Sequence, residues 1–371
     1  MQIFTEVSIK FTCINSKPFI NRNLSNFTIN QKSRQLTTVR DKQYMNELNI
    51  KPERIEVMHY LAQKIDSIID EFLKKIDSNW QPADFLPLSS CEDFTSKIKE
   101  LQAACSELPY DYLAVLIGDV ITEEALPTYE TWLTEVDGIS KMEPKGWSKW
   151  MRMWTAEENR HGDLLNKFLY LSGRVNMRQM EISTQHLIAD GMDIGTAKDP
   201  YKNFIYTSFQ ELATNISHRR TATMAKKHGC EQLSQICGVI AADEARHAKA
   251  YKSFVTKIFE IDASEMMLAF EYMMRKRIVM PAHFLRQAGE SIGKTFAHFS
   301  DAAQRLGIYT SMDYVTILSS LIKEWNIDNI GSLSVAAEKA RDYLMTLPDR
   351  FKKISERGLK APIEYQFSWI Q

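Results

Sequence analysis

Residues 151–168 read MRMWTAEENRHGDLLNKF, and this stretch decides the fold. Its apolar residues recur at spacings of three and four, which is the period of one face of a helix. Glu158 and His161 fall on that same apolar face. The pattern therefore predicts a core helix that carries a carboxylate and an imidazole, and a carboxylate is rarely buried without a partner.

The same arrangement returns at residues 237–258, where Glu244 and His247 lie on the apolar face of another predicted helix. A single glutamate precedes each Glu-x-x-His pair. Glu123 precedes the first pair and Glu211 precedes the second, and both follow apolar residues at helical spacing. The chain thus repeats one order of residues, a single Glu followed by Glu-x-x-His.

These four buried carboxylates need positive charge nearby, because an uncompensated buried charge costs several kcal/mol. Two divalent cations would supply it. Oxygen and imidazole ligands without a thiolate suit iron or manganese better than a structural zinc ion. One Glu on each of two helices and Glu-x-x-His on each of two others is the ligand set of ferritin-like di-iron bundles. A core of ion-paired Glu and His side chains without metal is the alternative.

Composition narrows the class of protein. The chain has 371 residues, of which 44% are apolar, and its 46 Lys and Arg nearly balance its 47 Asp and Glu. This balance of charge gives no sign of the excess of basic residues that is typical of a nucleic-acid binder. The five cysteines form no C-x-x-C motif, which favours a reducing compartment. Since no apolar run approaches the roughly 18 to 20 residues that span a bilayer, we expect a soluble protein.

The first 45 residues differ from the rest. Up to Arg40, six Lys and Arg residues stand against one acidic residue, Glu6, among frequent Ser, Thr and Asn. This composition is typical of an organellar transit peptide, and a disordered basic tail is the alternative. We predict that residues 1–45 are a plastid transit peptide and that residues 46–371 form one domain.

Helical periodicity covers nearly all of that domain, which predicts an all-α fold, a ferritin-like di-iron helical bundle with additional packed helices. The predicted helices are 53–76, 91–107, 111–136, 147–171, 177–191, 201–229, 231–259, 264–287, 300–306, 311–325 and 334–346. Pro127 lies inside one of them, four residues after Glu123, and removes the hydrogen bond to the Glu123 carbonyl. We expect either a kink or π-type bulge at Glu123 or the end of the helix there.

Longer motifs resemble one family, the soluble plant acyl-acyl carrier protein desaturases. The resemblance runs from about residue 75 to the end. It is carried by NWQP at 79–82, GDVITEEALPTY at 118–129, the stretch 154–178, FIYTSFQE at 204–211, AADEARH at 241–247, MMRK at 273–276, MPAH at 280–283 and FSWI at 367–370.

The resemblance implies the chemistry. Members of this family place a cis double bond in a saturated chain on acyl carrier protein, using O2 and electrons from ferredoxin, as homodimers in the plastid stroma. It implies two Fe(II) ions per subunit, bound by Glu123, Glu158, His161, Glu211, Glu244 and His247. No membrane span and no nucleic-acid partner are expected.

The resemblance also suggests residues around the metal. Asp243 would accept from His161, with Trp80 beside it on the electron route, and by internal symmetry Glu157 could serve His247. Thr214 matches a hydroxyl residue near the O2 site, although a Thr in a helix also bonds back to a carbonyl.

Departures from the family pattern concern the substrate. Leu212 and Asn215 flank Thr214 where Arg and Phe are usual, and residues 281–296 do not follow the familiar sequence. Trp132 stands where Met is common, near the acyl tunnel, and Val136 and Ile194 fall in the same region. We therefore predict a preference for an acyl chain shorter than eighteen carbons, or a different double-bond position.

Arg275, Lys276 and Arg277 form the most concentrated basic group and are candidates for docking the acidic carrier. A solvated helix end is the alternative. Two other classes share the ligand pattern. One comprises di-iron enzymes such as a ribonucleotide reductase small subunit or a monooxygenase, and the other is a ferritin-like iron store.

Overall fold

The structure, a computed structural model, describes residues 51–134, 136, 145–356 and 365–371, apart from the side chains of residues 130–132 and 134. The predicted division of the chain near residue 45 lies outside these residues. No helix in the described ranges is both long and apolar enough to cross a membrane.

Thirteen α-helices make up most of the described chain, which confirms the all-α prediction. In chain order they are α1 Pro52–Ala62, α2 Asp66–Phe72, α3 Phe94–Ser106, α4 Tyr110–Glu124, α5 Leu126–Thr134, α6 Gly146–Ser172, α7 Met177–Asp190, α8 Pro200–Lys227, α9 Glu231–Ile261, α10 Ala263–Lys276, α11 Lys294–Leu306, α12 Ser311–Glu324 and α13 Val335–Ser355. The β-pairing seen among these residues is one isolated bridge, between Val175 and Ile370.

Two long predicted helices are divided in the structure. The helix predicted for 53–76 becomes α1 and α2, followed by a 3-10 turn at Ile76–Ser78. The helix predicted for 264–287 ends at Lys276, because Arg277 takes a left-handed φ of 68° that a helix cannot continue. Pro281 then opens a separate 3-10 turn.

The chain also breaks directly after Glu123. Helix α4 ends at Glu124, Ala125 intervenes, and α5 begins at Leu126 with Pro127 in its first turn. A proline is tolerated in a first turn because the N–H it lacks would have no helical partner. Of the two expectations for this region, the helix end is the observed one, and it places Glu123 in the last turn of α4.

Four helices form the central bundle. Helix α8 packs along α9, α4 packs along α6, and α6 also contacts α9. Helices α7 and α11 pack against α4, and α10 packs against α8 and α13. Glu123 lies on α4, the first Glu-x-x-His pair on α6, Glu211 on α8 and the second pair on α9, so each helix of the bundle carries one part of the repeated pattern.

The apolar side chains of the bundle form two cores with a polar layer between them. On α6, Trp147 to Trp154 belong to one core and Leu164 to Leu169 belong to the other. On α9, Ile240 lies in the second core and Tyr251 in the first. The Glu-x-x-His pairs occupy the turns between these segments, so burial of both cores places them inside the protein.

Candidate metal centre

The six predicted ligands come together in the polar layer of the bundle. His161 and His247 are fully buried, and the side chain of Glu123, the most accessible of the six, is 11% exposed. The structure thus brings together the six residues that the sequence pattern selected. That the six side chains bind metal stays a prediction.

The cluster divides into two overlapping groups whose ligand atoms lie within 4.8 Å of one another. One group contains Glu123 and His161, and the other contains Glu211 and His247. Glu158 and Glu244 belong to both. The arrangement fits two cations that share two carboxylates, with one terminal Glu and one His for each.

Unsatisfied buried atoms support this fit. Buried polar atoms in folded proteins are nearly always hydrogen-bonded. Several atoms of the cluster have no hydrogen-bond partner, namely Nδ1 of His161 and His247, Oε1 of Glu158 and Glu244, and Oε2 of Glu211. Nδ1 of His161 lies 3.2 Å from carboxylate oxygens of both Glu158 and Glu244 without donating to either in good geometry. Cations between these nitrogen and oxygen atoms would satisfy them.

Ionisation within the cluster is uneven. Burial raises the pKa of Glu211 well above its ordinary value, and the neighbouring Glu244 and Glu158 raise it further. Burial acts in the same direction on Glu158, but His161 and His247 outweigh it and hold the pKa of Glu158 at about 2. Cations would take over this charge compensation, and the ligand carboxylates would then all be ionised.

Each imidazole also faces a carboxylate on its outer side. Nε2 of His247 lies 2.8 Å from Oε2 of Glu157, while Nε2 of His161 lies 3.6 Å from Oδ2 of Asp243, which is longer than a hydrogen bond. Arg246 bridges these two carboxylates, at 2.7 Å from Glu157 and 2.5 Å from Asp243. The structure thus places both suggested partners beside their histidines, with Glu157 in the tighter contact.

Trp80 lies against the cluster as the electron-route prediction requires. Its indole Nε1 donates to Asp243 at 3.0 Å, and its ring stacks on His161 at 6.0 Å between centroids and 11° between planes. The guanidinium of Arg160 lies over the Trp80 ring in a cation–π contact, at 4.7 Å from the ring centroid. Its role in electron transfer stays a prediction.

The Thr214 hydroxyl lies within reach of both kinds of partner that the sequence allowed, the cluster and the carbonyls of its own helix. Its hydroxyl oxygen lies 2.8 Å from Oε2 of Glu244 and 3.1 to 3.2 Å from the carbonyls of Glu211 and Gln210. With a single proton, the hydroxyl donates to one acceptor at a time. A role at the O2 site stays a prediction.

A cavity, part of it open to solvent, leads to the cluster. Glu123, Glu158, Glu244 and Thr214 are part of its wall. The apolar part of the wall includes Val115, Leu126, Tyr129, Ala213, Met280, Pro281, Phe296 and Phe299. These side chains come from α4, α5, α8, α11 and the segment after α10.

The two predicted tunnel residues whose side chains the structure describes do not line this cavity. Val136 and Ile194 are buried, at 3% and 5% exposure, and neither is among the residues lining it. The side chain of Trp132 lies outside the described residues. The proposed influence of these three positions on the substrate stays a prediction.

The basic group at 275–277 lies at the C-terminal end of α10. Arg275 and Lys276 are exposed, Arg277 is partly buried, and Arg275 pairs with Glu271 at 2.6 Å. Cations at this end of a helix are stabilised by its dipole, so the position alone does not require a partner. Carrier docking there stays a prediction.

Sequence reasoning missed three residues at the centre. Nε2 of His218 lies 3.1 Å from Oε1 of Glu123. Asp119 lines the cavity, and burial raises its pKa to about 7. Arg246 bridges the outer carboxylates. His218 stands two helical turns after Glu211, and Asp119 one turn before Glu123, so helical spacing was a signal for both.

The fold and the site together define the class, a ferritin-like helical bundle with a carboxylate and histidine cluster suited to two metal ions. The chain belongs to the fatty acid desaturase family, whose model matches residues 53–371. This confirms the family resemblance found in the sequence.

Several relatives are similar over most of the chain. It is 49% identical over 326 residues to stearoyl-[acyl-carrier-protein] 9-desaturase 5, chloroplastic, of Arabidopsis thaliana, with 86% of this chain and 82% of the relative covered. It is 50% identical over 325 residues to the stearoyl-[acyl-carrier-protein] 9-desaturase of Ricinus communis, with the same coverage. It is 48% identical over 329 residues to palmitoyl-[acyl-carrier-protein] 4-desaturase 3 of Ophrys sphegodes, covering 87% and 82%.

Proposed function

We propose that the protein is a di-iron, O2-dependent acyl-[acyl-carrier-protein] desaturase of fatty acid biosynthesis. It introduces a cis double bond into a saturated acyl chain bound to acyl carrier protein. The observation that carries this proposal is the cavity whose wall combines apolar side chains with Glu123, Glu158 and Glu244. Names of the relatives point to the same reaction.

The cavity suits a long apolar chain. Each methylene that leaves water contributes roughly 0.8 kcal/mol, so an acyl chain gains binding energy along the wall formed by residues such as Leu126, Phe296 and Phe299. The carboxylates in the same wall bring the metal centre to the bound chain. Holding one methylene pair there, away from bulk water, is the main contribution of the protein to the reaction.

Two Fe(II) ions per subunit are the proposed cofactor, and they would supply the activation of O2 that removes hydrogen from an unactivated methylene. Glu123, Glu158, Glu211 and Glu244 balance the charge of two divalent ions. Thr214 keeps a hydroxyl group at the junction of cavity and cluster, where it can hold a proton close to Glu244.

Electrons would enter by way of Trp80 and Asp243. The indole donates to the Asp243 carboxylate, which lies beside His161, and Trp80 is only partly buried. This series of contacts links the surface to one side of the cluster. Reduced ferredoxin is the proposed donor.

The remaining proposals concern the setting. We place the mature enzyme, as a homodimer, in the plastid stroma after loss of residues 1–45. Support for the location comes from the basic N-terminal composition, with its frequent Ser, Thr and Asn, and from the chloroplastic names of the relatives. Those relatives include a 9-desaturase and a 4-desaturase at nearly equal identity, so identity does not select the chain length or position.

The test is coupled turnover. Purified, iron-loaded protein is supplied with reduced ferredoxin and with palmitoyl- or stearoyl-acyl carrier protein, while O2 uptake and product are measured by an electrode and by mass spectrometry. We expect one O2 consumed for each double bond, and no product from metal-free protein. Uptake of O2 without loss of any saturated substrate would rule out a desaturase.

A further inference from the structure

One stretch of the cavity wall has little regular structure of its own. Between the end of α10 at Lys276 and the start of α11 at Lys294, a stretch described throughout, the regular structure is one 3-10 turn at Pro281–Phe284. We call residues 277–293 the wall segment, because residues 280–283 line the cavity. Backbone without a continuous hydrogen-bond ladder opens easily unless other contacts hold it. The position of this wall therefore depends on its side chains.

A second segment, residues 365–371, contacts the wall segment through one buried amide. The side-chain oxygen of Gln287 accepts two hydrogen bonds from Ser368, at 2.5 Å from the backbone nitrogen and 2.6 Å from the hydroxyl oxygen. The amide nitrogen of Gln287 donates to the hydroxyl of Tyr365. Gln287 itself is only 5% exposed. Both ends of its amide are thus bound to residues 365–371.

A carboxylate extends these contacts to the first turn of α11. The hydroxyl of Tyr365 donates to Oε2 of Glu290 at 2.7 Å, and the hydroxyl of Thr295 donates to the same oxygen at 2.8 Å. Thr295 in turn accepts from the backbone N–H of Gln287 at 3.2 Å. Burial raises the pKa of Glu290, but its hydrogen bonds to Lys294 and to these two hydroxyls outweigh burial and hold the pKa at about 2. Glu290 is therefore an ionised acceptor at neutral pH.

Residues 365–371 are anchored independently of the wall segment. Trp369 is fully buried, and its indole nitrogen donates to Ser183 of α7 at 2.8 Å. The carbonyl of Trp369 accepts from the N–H of Asn176 at 2.7 Å. The N–H of Phe367 donates to the hydroxyl of Tyr110, on α4, at 2.6 Å. The segment therefore joins the wall segment to α4 and α7.

We propose that residues 365–371 are a positioning element of the acyl site, and that they act through Gln287. By holding Gln287 and Glu290, they keep His283 and Phe296 in place on the cavity wall, where the two rings stack at 3.9 Å between centroids. A wall that stays in place excludes water and holds the reacting part of the chain at a constant distance from the metal centre. The inference rests on the proposed function for its ligand, an acyl chain.

The sequence makes this contact a property of this chain. Gln287, Glu290 and Thr295 all lie in residues 281–296, the stretch that does not follow the familiar sequence of the family. Residues 367–370, FSWI, do match the family pattern. An anchor of familiar sequence thus holds a wall segment of different sequence, and the inference concerns this combination.

The first measurement, hydrogen exchange of the full chain followed by mass spectrometry, needs no substrate. Tyr365→Phe removes one hydroxyl and keeps the ring that stacks on His298, while Gln287→Ala removes the whole amide. We expect amides of the wall segment to exchange about 5- to 10-fold faster in both variants. Ser334→Ala removes the N-cap of α13, outside this network, and is the control for a general loss of stability. It should leave exchange in the wall segment unchanged.

The second measurement is the ratio of O2 consumed to double bonds formed. It uses palmitoyl- or stearoyl-acyl carrier protein, whichever the wild type desaturates. Gln287→Ala should consume about two or more O2 for each double bond, because a loosened wall admits water and misplaces the chain. Ser368→Ala keeps one of the two donors and should have a smaller effect, and Ser368→Thr should restore most of the coupling. Ser334→Ala should stay coupled.

Unchanged exchange of the wall segment in both Tyr365→Phe and Gln287→Ala would overturn the inference, because residues 365–371 would then not hold the wall. Faster exchange with normal coupling would also overturn it, since the position of the wall would then not affect the bound chain. Failure of the proposed function looks different. In that case the wild type forms no double bond, while the exchange experiment still shows whether residues 365–371 hold the wall segment.

Discussion

The imidazole of His218 lies 3.1 Å from one carboxylate oxygen of Glu123, and the other oxygen of that carboxylate lies 4.0 Å from Nδ1 of His161. Glu123 thus has an outer oxygen held by a buried histidine of α8 and an inner oxygen directed at the cluster. Because α4 ends one residue later, the side chain depends on this contact for its orientation.

The first prediction is that His218→Ala weakens Fe(II) binding by about 10- to 100-fold, the usual effect of removing a group that orients a metal ligand. Titration of metal-free protein with Fe(II) measures this without turnover. His228→Ala, at the end of the same helix and away from the cluster, is the control. Equal affinity in wild type and His218→Ala would show that Glu123 needs no support from α8.

The second prediction concerns the carboxylates shared by both groups of ligands. We expect Glu158→Ala or Glu244→Ala to lose at least one of two irons per chain, because each serves both positions. Glu123→Ala and Glu211→Ala should each impair one iron position and leave the other closer to intact. Iron content after anaerobic loading is the measurement, and Glu260→Ala on the exposed side of α9 is the control. Full iron content in both shared-carboxylate variants would refute the di-iron assignment.

The third prediction concerns acyl chain length. We propose that Trp132 limits the far part of the acyl site. Since overpacking costs about 1 to 3 kcal/mol, this residue should then select against eighteen carbons. Palmitoyl- and stearoyl-acyl carrier protein are presented together to wild type and to Trp132→Met. The variant should shift toward the longer chain about 5-fold or more. If both proteins prefer stearoyl-acyl carrier protein and place the double bond at position 9, Trp132 does not determine the substrate.

The fourth prediction concerns the carrier. Arg275→Glu with Lys276→Glu should raise KM for acyl carrier protein about 10-fold at low salt, with little change in kcat, because complementary charge acts mainly on encounter. The effect should shrink at high salt. Lys226→Glu with Lys227→Glu reverses two exposed charges at another helix end and serves as the control. Equal KM values in the two variants would place docking elsewhere.

The fifth prediction is a pH dependence of stability. Burial lowers the pKa of His283, on the cavity wall, from 6.5 to about 4. Below pH 6.5 the unfolded chain therefore binds more protons at this residue than the folded chain does, so the free energy of unfolding falls as the pH falls toward 4. Between pH 7 and pH 5 this loss is about 2 kcal/mol.

His283→Gln should lack that loss. Urea unfolding of both proteins at pH 7 and pH 5 isolates the contribution, since other titrating groups are common to the pair. If the two proteins lose the same free energy of unfolding over this range, His283 is not held neutral by the fold.

The parts of the site that could be predicted from the sequence are those whose position follows from the spacing of apolar residues along one helix. Glu158 and His161 could be placed because their helical face is marked by apolar neighbours three and four residues away. The end of α10 was misjudged because it depends on a single backbone conformation, the positive φ of Arg277.

Contacts between helices were harder to predict. The bridge from Arg246 to Glu157 joins α9 to α6, and no spacing along either helix specifies it. The cavity is harder still, since its wall is drawn from many separate parts of the chain, α6 and α9 among them. The positions expected to tune the substrate, Val136 and Ile194, were inferred from resemblance, which carries no information about this wall.

The polar layer between the two apolar cores has a mechanical consequence. Helices α6 and α9 each pack against apolar side chains on both sides of their Glu-x-x-His turn. Neither helix can therefore rotate or slide there without disrupting a core. The spacing of the ligand side chains is therefore maintained by the rigidity of two helices that are packed on both sides of the cluster. Exchange of bound ions would then proceed through the cavity rather than by movement of these helices, because Glu123, Glu158 and Glu244 lie in its wall.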